Sequence, residues 1–140
     1  MVAHALHHDH VVLQHGLDRL QSIADALDAA DSAEAGRLIA EANVIVQRQV
    51  VEHERDDESS VYPRLAKALG DSHGLSAMSR AHREILHLAR LLARLTDDLR
   101  IERMDRYFIR DAQRMIEAIE ALVRLHNAQE EDIYDFAIAA

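Results

Sequence analysis

Residues 112–130 read AQRMIEAIEALVRLHNAQE, and this stretch decides the fold. Apolar side chains recur at steps of three and four from Ala112 to Val123, which is the period of one face of an α-helix. The same stripe continues into His126 and Glu130. A helix that turns an aliphatic face toward the core also buries the polar residues on that face. The stretch therefore predicts a core helix that carries a histidine and a carboxylate into the interior.

Three further segments carry the same kind of stripe. Short connections between helices favour antiparallel neighbours, so we expect an all-α, up-down-up-down four-helix bundle in a single domain over residues 1–140. Pro63 should kink or interrupt the second helix near Tyr62, because proline cannot donate the backbone hydrogen bond of a helix interior. The four predicted helices cover residues 3–29, 33–69, 75–96 and 101–136.

The composition excludes several classes of protein. Only four glycines and one proline occur in 140 residues, which counts against an all-β fold with its many turns. The absence of cysteine excludes disulfides, iron–sulfur clusters and thiol catalysis. A net charge of -9 argues against nucleic acid and anionic membranes as partners. Because neither a membrane span nor a signal-peptide layout is present, the expected location is the cytoplasm.

Histidine is the unusual residue, with ten copies in the chain. Each of the four stripes contains one, and in two stripes a carboxylate follows four residues later, on the same helix face. The predicted core therefore holds four imidazoles and two carboxylates among aliphatic side chains, and these are His10, His53, Asp57, His82, His126 and Glu130.

The histidines are also regularly spaced. His10 and His82 are 72 residues apart, and His53 and His126 are 73 apart. Acids stand four and five residues after both His53 and His126. Tyr62 and Tyr134, the evident proton donors, follow these acids, and their distances along the chain from the two histidines differ by one residue. This repeat predicts two helical hairpins related by an approximate two-fold axis.

Burying unpaired carboxylates costs several kcal/mol, and no lysine or arginine lies on the stripes to neutralise them. A pair of divalent metal ions would do so, and imidazole with carboxylate suits iron, manganese or zinc. A single core histidine is often only hydrogen-bonded. The coincidence of all four stripes with two matched acids favours a dinuclear metal site.

The same residues resemble the hemerythrin-like, or HHE cation-binding, domain family over nearly the whole chain. The ligand pattern is His10, His53-x-x-x-Asp57, His82 and His126-x-x-x-Glu130, and residues 57–63 (DESSVYP) are similar to the segment that ends the second helix in many bacterial members. The resemblance implies two iron ions in a non-haem di-iron centre with an oxo or hydroxo bridge. It also implies a small-molecule partner such as O2, NO or peroxide.

On this resemblance, His10 and His53 would bind one iron ion, His82 and His126 the other, and Asp57 and Glu130 would bridge them. Aliphatic residues would exclude water around the pair, and these are Leu13, Val50, Ile85, Ile119 and Val123.

Two departures from the family pattern leave alternatives open. Four residues after His82 stands Leu86, where oxygen-carrying hemerythrins have a second histidine, and His87 would need a local bulge to become a ligand. Asp57 stands where glutamate is usual, so Glu58 or Glu54 is an alternative ligand. His7, one turn before His10, is a reserve ligand.

Three functions follow as hypotheses. The first is binding or sensing of O2 or NO, or the handling of iron. The second is a di-iron redox enzyme that decomposes peroxide or reduces O2 or NO, which the open position at Leu86 favours. The third is a metal-free helical interaction module. The sequence leaves the oligomeric state undetermined.

Overall fold

A computed structural model describes the backbone of residues 2–70 and 73–139 and the side chains of residues 10–70 and 75–136. Within these ranges the chain is helical, and two π-helical turns (Val46–Val50 and Asp57–Val61) join three short helices into one long second arm. A 3-10 turn (Ile101–Arg103) precedes the last helix. The helices are α1 (Val2–Ala26), α2 (Ser32–Ile45), α3 (Val51–Asp56), α4 (Tyr62–Leu69), α5 (His73–Asp97) and α6 (Arg106–Ala139).

Each arm of the bundle packs on the next arm along the chain. Helix α1 contacts α2, α2 contacts α5, α5 contacts α6, and α6 closes the bundle by packing along α1. Because the arms are joined by short connections, successive arms are antiparallel. The predicted up-down-up-down four-helix bundle is confirmed.

Local sequence explains three of the helix ends. The Asp31 carboxylate accepts a hydrogen bond from the backbone N–H of Glu34 (2.8 Å) and caps α2. Gly70 ends α4 with φ of 64°, a left-handed conformation that glycine adopts without strain. The last helix begins later than predicted, at Arg106 rather than residue 101, because the Asp105 side chain caps the backbone N–H of Phe108 (2.9 Å).

The two π turns change which residues of the second arm face the core. In each turn a backbone N–H bonds the carbonyl five residues earlier, from Val51 to Val46 and from Tyr62 to Asp57, which inserts one extra residue. As a result Tyr62 is buried. Pro63 lies in the first turn of α4, directly after the π turn, and the first turn is where a helix tolerates proline best. The predicted interruption near Tyr62 is confirmed.

The core is aliphatic along most of the bundle, and a layer of buried polar side chains crosses it near one end. All five aliphatic residues expected around the polar layer are buried. A second, smaller cluster with the two buried tyrosines packs beyond that layer, and it comprises Tyr62, Leu65, Leu75, Met78 and Tyr134. In the described part of the chain, no helix is long and apolar enough to cross a membrane.

Candidate metal centre

Among the residues whose side chains are described, the buried polar layer contains two overlapping groups of potential metal ligands. In each group, one ligand atom from every residue lies within 4.8 Å of the others. All six residues singled out from the sequence fall in these groups, and one glutamate belongs to both. We call His10, His53, Asp57 and Glu130 the first group, and Glu54, His82, His126 and Glu130 the second group.

Glu130 connects the two groups with its two carboxylate oxygens. Its Oε2 lies 3.4 Å from Nε2 of His10 in the first group. Its Oε1 lies 3.6 Å from Nε2 of His82 and also contacts Nε2 of His126, both in the second group. One oxygen therefore faces each group, which is the arrangement that a bridging carboxylate requires.

Asp57 and Glu54 each serve one group only. Oδ2 of Asp57 lies 3.1 Å from Nε2 of His53. Oε2 of Glu54 lies 2.7 Å from Nε2 of His82 and 3.3 Å from Nε2 of His126. Asp57 was expected to bridge and Glu54 only to replace it, whereas the structure places both in the layer, one in each group.

The reason is helical geometry. Consecutive residues point about 100° apart around a helix, so His53 and Glu54 diverge toward different groups, while Asp57 lies one turn beyond His53. The sequence did contain a signal for Glu54. Val46, Val50 and Glu54 are spaced four apart, so Glu54 continues a buried apolar row.

Several buried ligand atoms have contacts but no hydrogen bond within the described residues. They are Nε2 of His10 and of His53, both oxygens of Glu54, and Oδ2 of Asp57. The short distances from Glu54 and Asp57 to neighbouring imidazoles lack hydrogen-bond geometry. Leaving such atoms unsatisfied costs about 1–3 kcal/mol each. Metal ions coordinated by these atoms would satisfy them, so the residues present fit a pair of ions.

The metal-free layer is held by attraction between imidazoles and carboxylates. Burial lowers the pKa of His82, but contacts with Glu130 and Glu54 outweigh it and raise the pKa to about 10. The same balance raises the pKa of His126 to about 9. Burial would raise the pKa of Glu130, but His10 and the other imidazoles hold it well below its usual range.

Two tyrosines hydrogen-bond the Glu130 carboxylate. The Tyr62 hydroxyl donates to Oε1 of Glu130 (3.0 Å) and lies 3.0 Å from Nε2 of His82. The Tyr134 hydroxyl donates to Oε2 of Glu130 (2.5 Å). Burial, and next the negative charge of Glu130, raise the pKa of both phenols. The π turn at Asp57–Val61 explains why their sequence spacings differ by one residue, since its extra residue turns Tyr62 toward the layer.

Two of the reserve ligands, Glu58 and His87, lie outside both groups. Glu58 belongs to neither group and instead hydrogen-bonds the outer side of His82. His87 is exposed, and Leu86 packs against the core. His7 lies outside the residues whose side chains the structure describes.

The sequence matches the family described as hemerythrin HHE cation binding domain over residues 1–135. The chain belongs to this family. Comparison with curated proteins and with solved structures gives no match. The resemblance read from the histidine pattern is therefore confirmed, and this hemerythrin HHE domain carries two clusters of histidine and carboxylate that could hold metal ions.

Proposed function

We propose that this hemerythrin HHE domain holds two iron ions, one in each group, and uses them to bind or sense O2 or NO. The observation that carries the proposal is the shared carboxylate of Glu130, which presents one oxygen to each group. Each group offers two imidazoles and two carboxylates, a donor set that suits iron. The ligands proposed are all the members of the first and second groups.

The surroundings support a small, uncharged ligand. When bound, the two iron ions would supply reversible binding or redox chemistry for a diatomic molecule. Val50, Ile85 and Val123 are fully buried beside the layer and give it an aliphatic wall. A cleft of about 520 Å³ between the second arm and α5 is lined in part by Glu54 and His82, so a small molecule has a route to the second group.

A redox enzyme is the second candidate, and two observations favour it. Leu86 lines the same cleft, so the described part of α5 offers the second group one imidazole, that of His82. The Tyr62 hydroxyl oxygen lies 3.0 Å from Nε2 of His82, and its proton is donated to Oε1 of Glu130. A centre with an open coordination position and a nearby proton donor suits the breakdown of peroxide or the reduction of O2 or NO.

The first experiment is metal analysis of protein expressed in iron-supplemented medium. We expect two iron ions per chain, and loss of both in the double variant His53→Ala/His126→Ala. His87→Ala is the matched control, since that imidazole is exposed and should leave the iron content unchanged. Wild-type protein that binds no metal, with unchanged thermal stability in the double variant, would refute the proposal in favour of a metal-free interaction module. Zinc or manganese in place of iron would refute the iron assignment.

The second experiment separates binding from turnover. Reduced, iron-loaded protein is exposed to O2 or NO, and the absorption spectrum is followed before and after degassing. A spectral change that reverses on degassing, with negligible peroxide consumption, supports binding or sensing. Sustained consumption of peroxide supports the enzyme. Iron that is released readily to a chelator and taken up again, with neither behaviour, supports iron handling instead.

A further inference from the structure

The sequence repeat contains two acids that the ligand groups leave out. Glu58 and Glu131 each follow a core acid, Asp57 and Glu130, by one residue. Both are accessible to solvent, with 49% and 29% of their side chains exposed. Their equivalent places in the repeat suggest an equivalent task.

Each of these two acids binds the outer nitrogen of one histidine in the layer. Oε2 of Glu58 lies 2.7 Å from Nδ1 of His82. Oε1 of Glu131 lies 2.7 Å from Nδ1 of His10. The Ser79 hydroxyl donates to both oxygens of Glu58 (2.8 and 3.0 Å) and holds that carboxylate in place.

The two contacts cross between neighbouring arms of the bundle. Successive residues of a helix diverge by about 100°, so when the first acid of each pair faces the layer, the second faces the adjacent arm. Glu58 on the second arm reaches α5, and Glu131 on α6 reaches α1. Each therefore binds the histidine that the described part of the neighbouring arm contributes to the layer.

The opposite nitrogen of each ring faces the ligand groups. Nε2 of His82 lies 2.7 Å from Oε2 of Glu54, and Nε2 of His10 lies 3.4 Å from Oε2 of Glu130. A carboxylate on Nδ1 keeps the proton on that nitrogen, which leaves the lone pair of Nε2 free for a metal ion and makes the imidazole a stronger donor.

We propose that Glu58 and Glu131 are positioning residues, one for each metal ion: Glu58 orients His82 for the ion of the second group, and Glu131 orients His10 for the ion of the first. The inference rests on the proposed function, because it assumes that both groups hold metal. It differs from a purely structural role in that each acid should affect one ion and leave the other unchanged.

The test uses the full chain titrated with Co2+, which is stable in air and shifts the proton resonances of its ligands. Glu58→Ala should lower the affinity for one of the two Co2+ ions by about 10–100-fold, which is the usual effect of removing a carboxylate that hydrogen-bonds a ligand histidine. Glu131→Ala should lower the affinity for the other Co2+ ion by a similar factor. The exposed acids Glu52 and Asp132 provide matched controls as Glu52→Ala and Asp132→Ala, which remove the same charge nearby.

A background that holds one ion shows which ion each acid serves. Glu54→Ala should retain only the ion of the first group. In that background Glu131→Ala should lower the affinity for the remaining Co2+ ion, whereas Glu58→Ala should leave that affinity unchanged.

Proton NMR of the Co2+ protein gives a readout that folding alone does not move. In Glu58→Ala the Nδ1–H proton of His82 should exchange rapidly with water, so its resonance should be lost. In Glu58→Gln the resonance should persist, because the amide oxygen still accepts the hydrogen bond. If Glu58→Ala does not fold, Glu58→Gln still tests the idea, because it should weaken the same ion. Failure of the wild-type protein to bind Co2+ would refute the proposed function. Two ions bound equally well by wild type, Glu58→Ala and Glu131→Ala would refute the positioning role alone.

Discussion

The number of metal ions that the protein retains should depend on which carboxylate of the polar layer is removed. Glu54 belongs only to the second group, Asp57 only to the first, and Glu130 to both. We therefore predict that Glu54→Ala and Asp57→Ala each retain one ion, whereas Glu130→Ala retains none.

The size of the effect can be expressed as thermal stability. An ion at about 100 times its dissociation constant stabilises the folded state by about 2.7 kcal/mol. An unfolding entropy of about 2.1 cal/mol/K per residue gives about 0.3 kcal/mol/K for 140 residues, so each ion should raise Tm by about 9 °C. Metal should raise the Tm of wild type by about 18 °C, of the two single-group variants by about 9 °C, and of Glu130→Ala by close to zero.

The assay is a pair of melting curves for every variant, one with chelator and one with metal at a fixed multiple of the measured dissociation constant. Taking the difference within one variant cancels the intrinsic cost of the substitution. Metal analysis of the same samples counts the ions directly. Glu52→Ala is the matched control, two residues from Glu54 and exposed, and should behave as wild type.

A Glu54→Ala protein with the full wild-type increment in Tm would refute the assignment of Glu54 to the second group, since that carboxylate would then hold no ion. An Asp57→Ala protein that loses both ions would equally contradict the assignment of Asp57 to one group.

Three further outcomes are expected. Below pH 6.5, the ordinary pKa of histidine, the raised pKa values of His82 (about 10) and His126 (about 9) contribute their full stabilisation of the metal-free protein, and this stabilisation is lost as pH rises through 9–10. The Tm measured with chelator should therefore fall over that range. The increase in Tm that metal gives should grow over the same range, because fewer protons then compete for the same nitrogens. Tyr62→Phe should lower the free energy of unfolding of metal-free protein by about 1.5–3 kcal/mol in urea titrations, since it removes a hydrogen bond to a buried carboxylate; an unchanged midpoint would contradict that contact, and exposed Tyr107→Phe is the control. Leu20→Ala should cost about 2–5 kcal/mol and leave the number of bound ions at two, because Leu20 is fully buried ten residues, or about 15 Å, along α1 from His10.

The helices could be predicted because their information is local. The three- and four-residue steps of apolar side chains identify the arms, and Asp31 and Gly70 mark ends through interactions within a few residues. One boundary differs from the apolar pattern, because the Asp105 side chain caps the backbone N–H of Phe108 and α6 therefore begins at Arg106.

The membership of the polar layer could be predicted in part. The histidines and the acids four residues later repeat in both halves of the chain, so the sequence was enough to name six of the seven residues in the two groups. Glu54 was named only as a substitute, because a regular four-residue step from His53 leads to Asp57 and passes over the residue directly after the histidine.

The sequence by itself determined the bundle, the histidine repeat and the side chains that share a face with the core, because helical periodicity fixes which side chains share a face. Only the tertiary structure decided how those side chains divide. It gave Asp57 to one group and Glu54 to the other, turned one oxygen of Glu130 toward each, and set Glu58 and Glu131 behind imidazoles of neighbouring arms. The contacts of Glu58 with His82 and of Glu131 with His10 join residues 24 and 121 positions apart, and the extra residues of the π turns shift the register of the second arm. Such contacts depend on the relative rotation of packed helices, which no local pattern specifies.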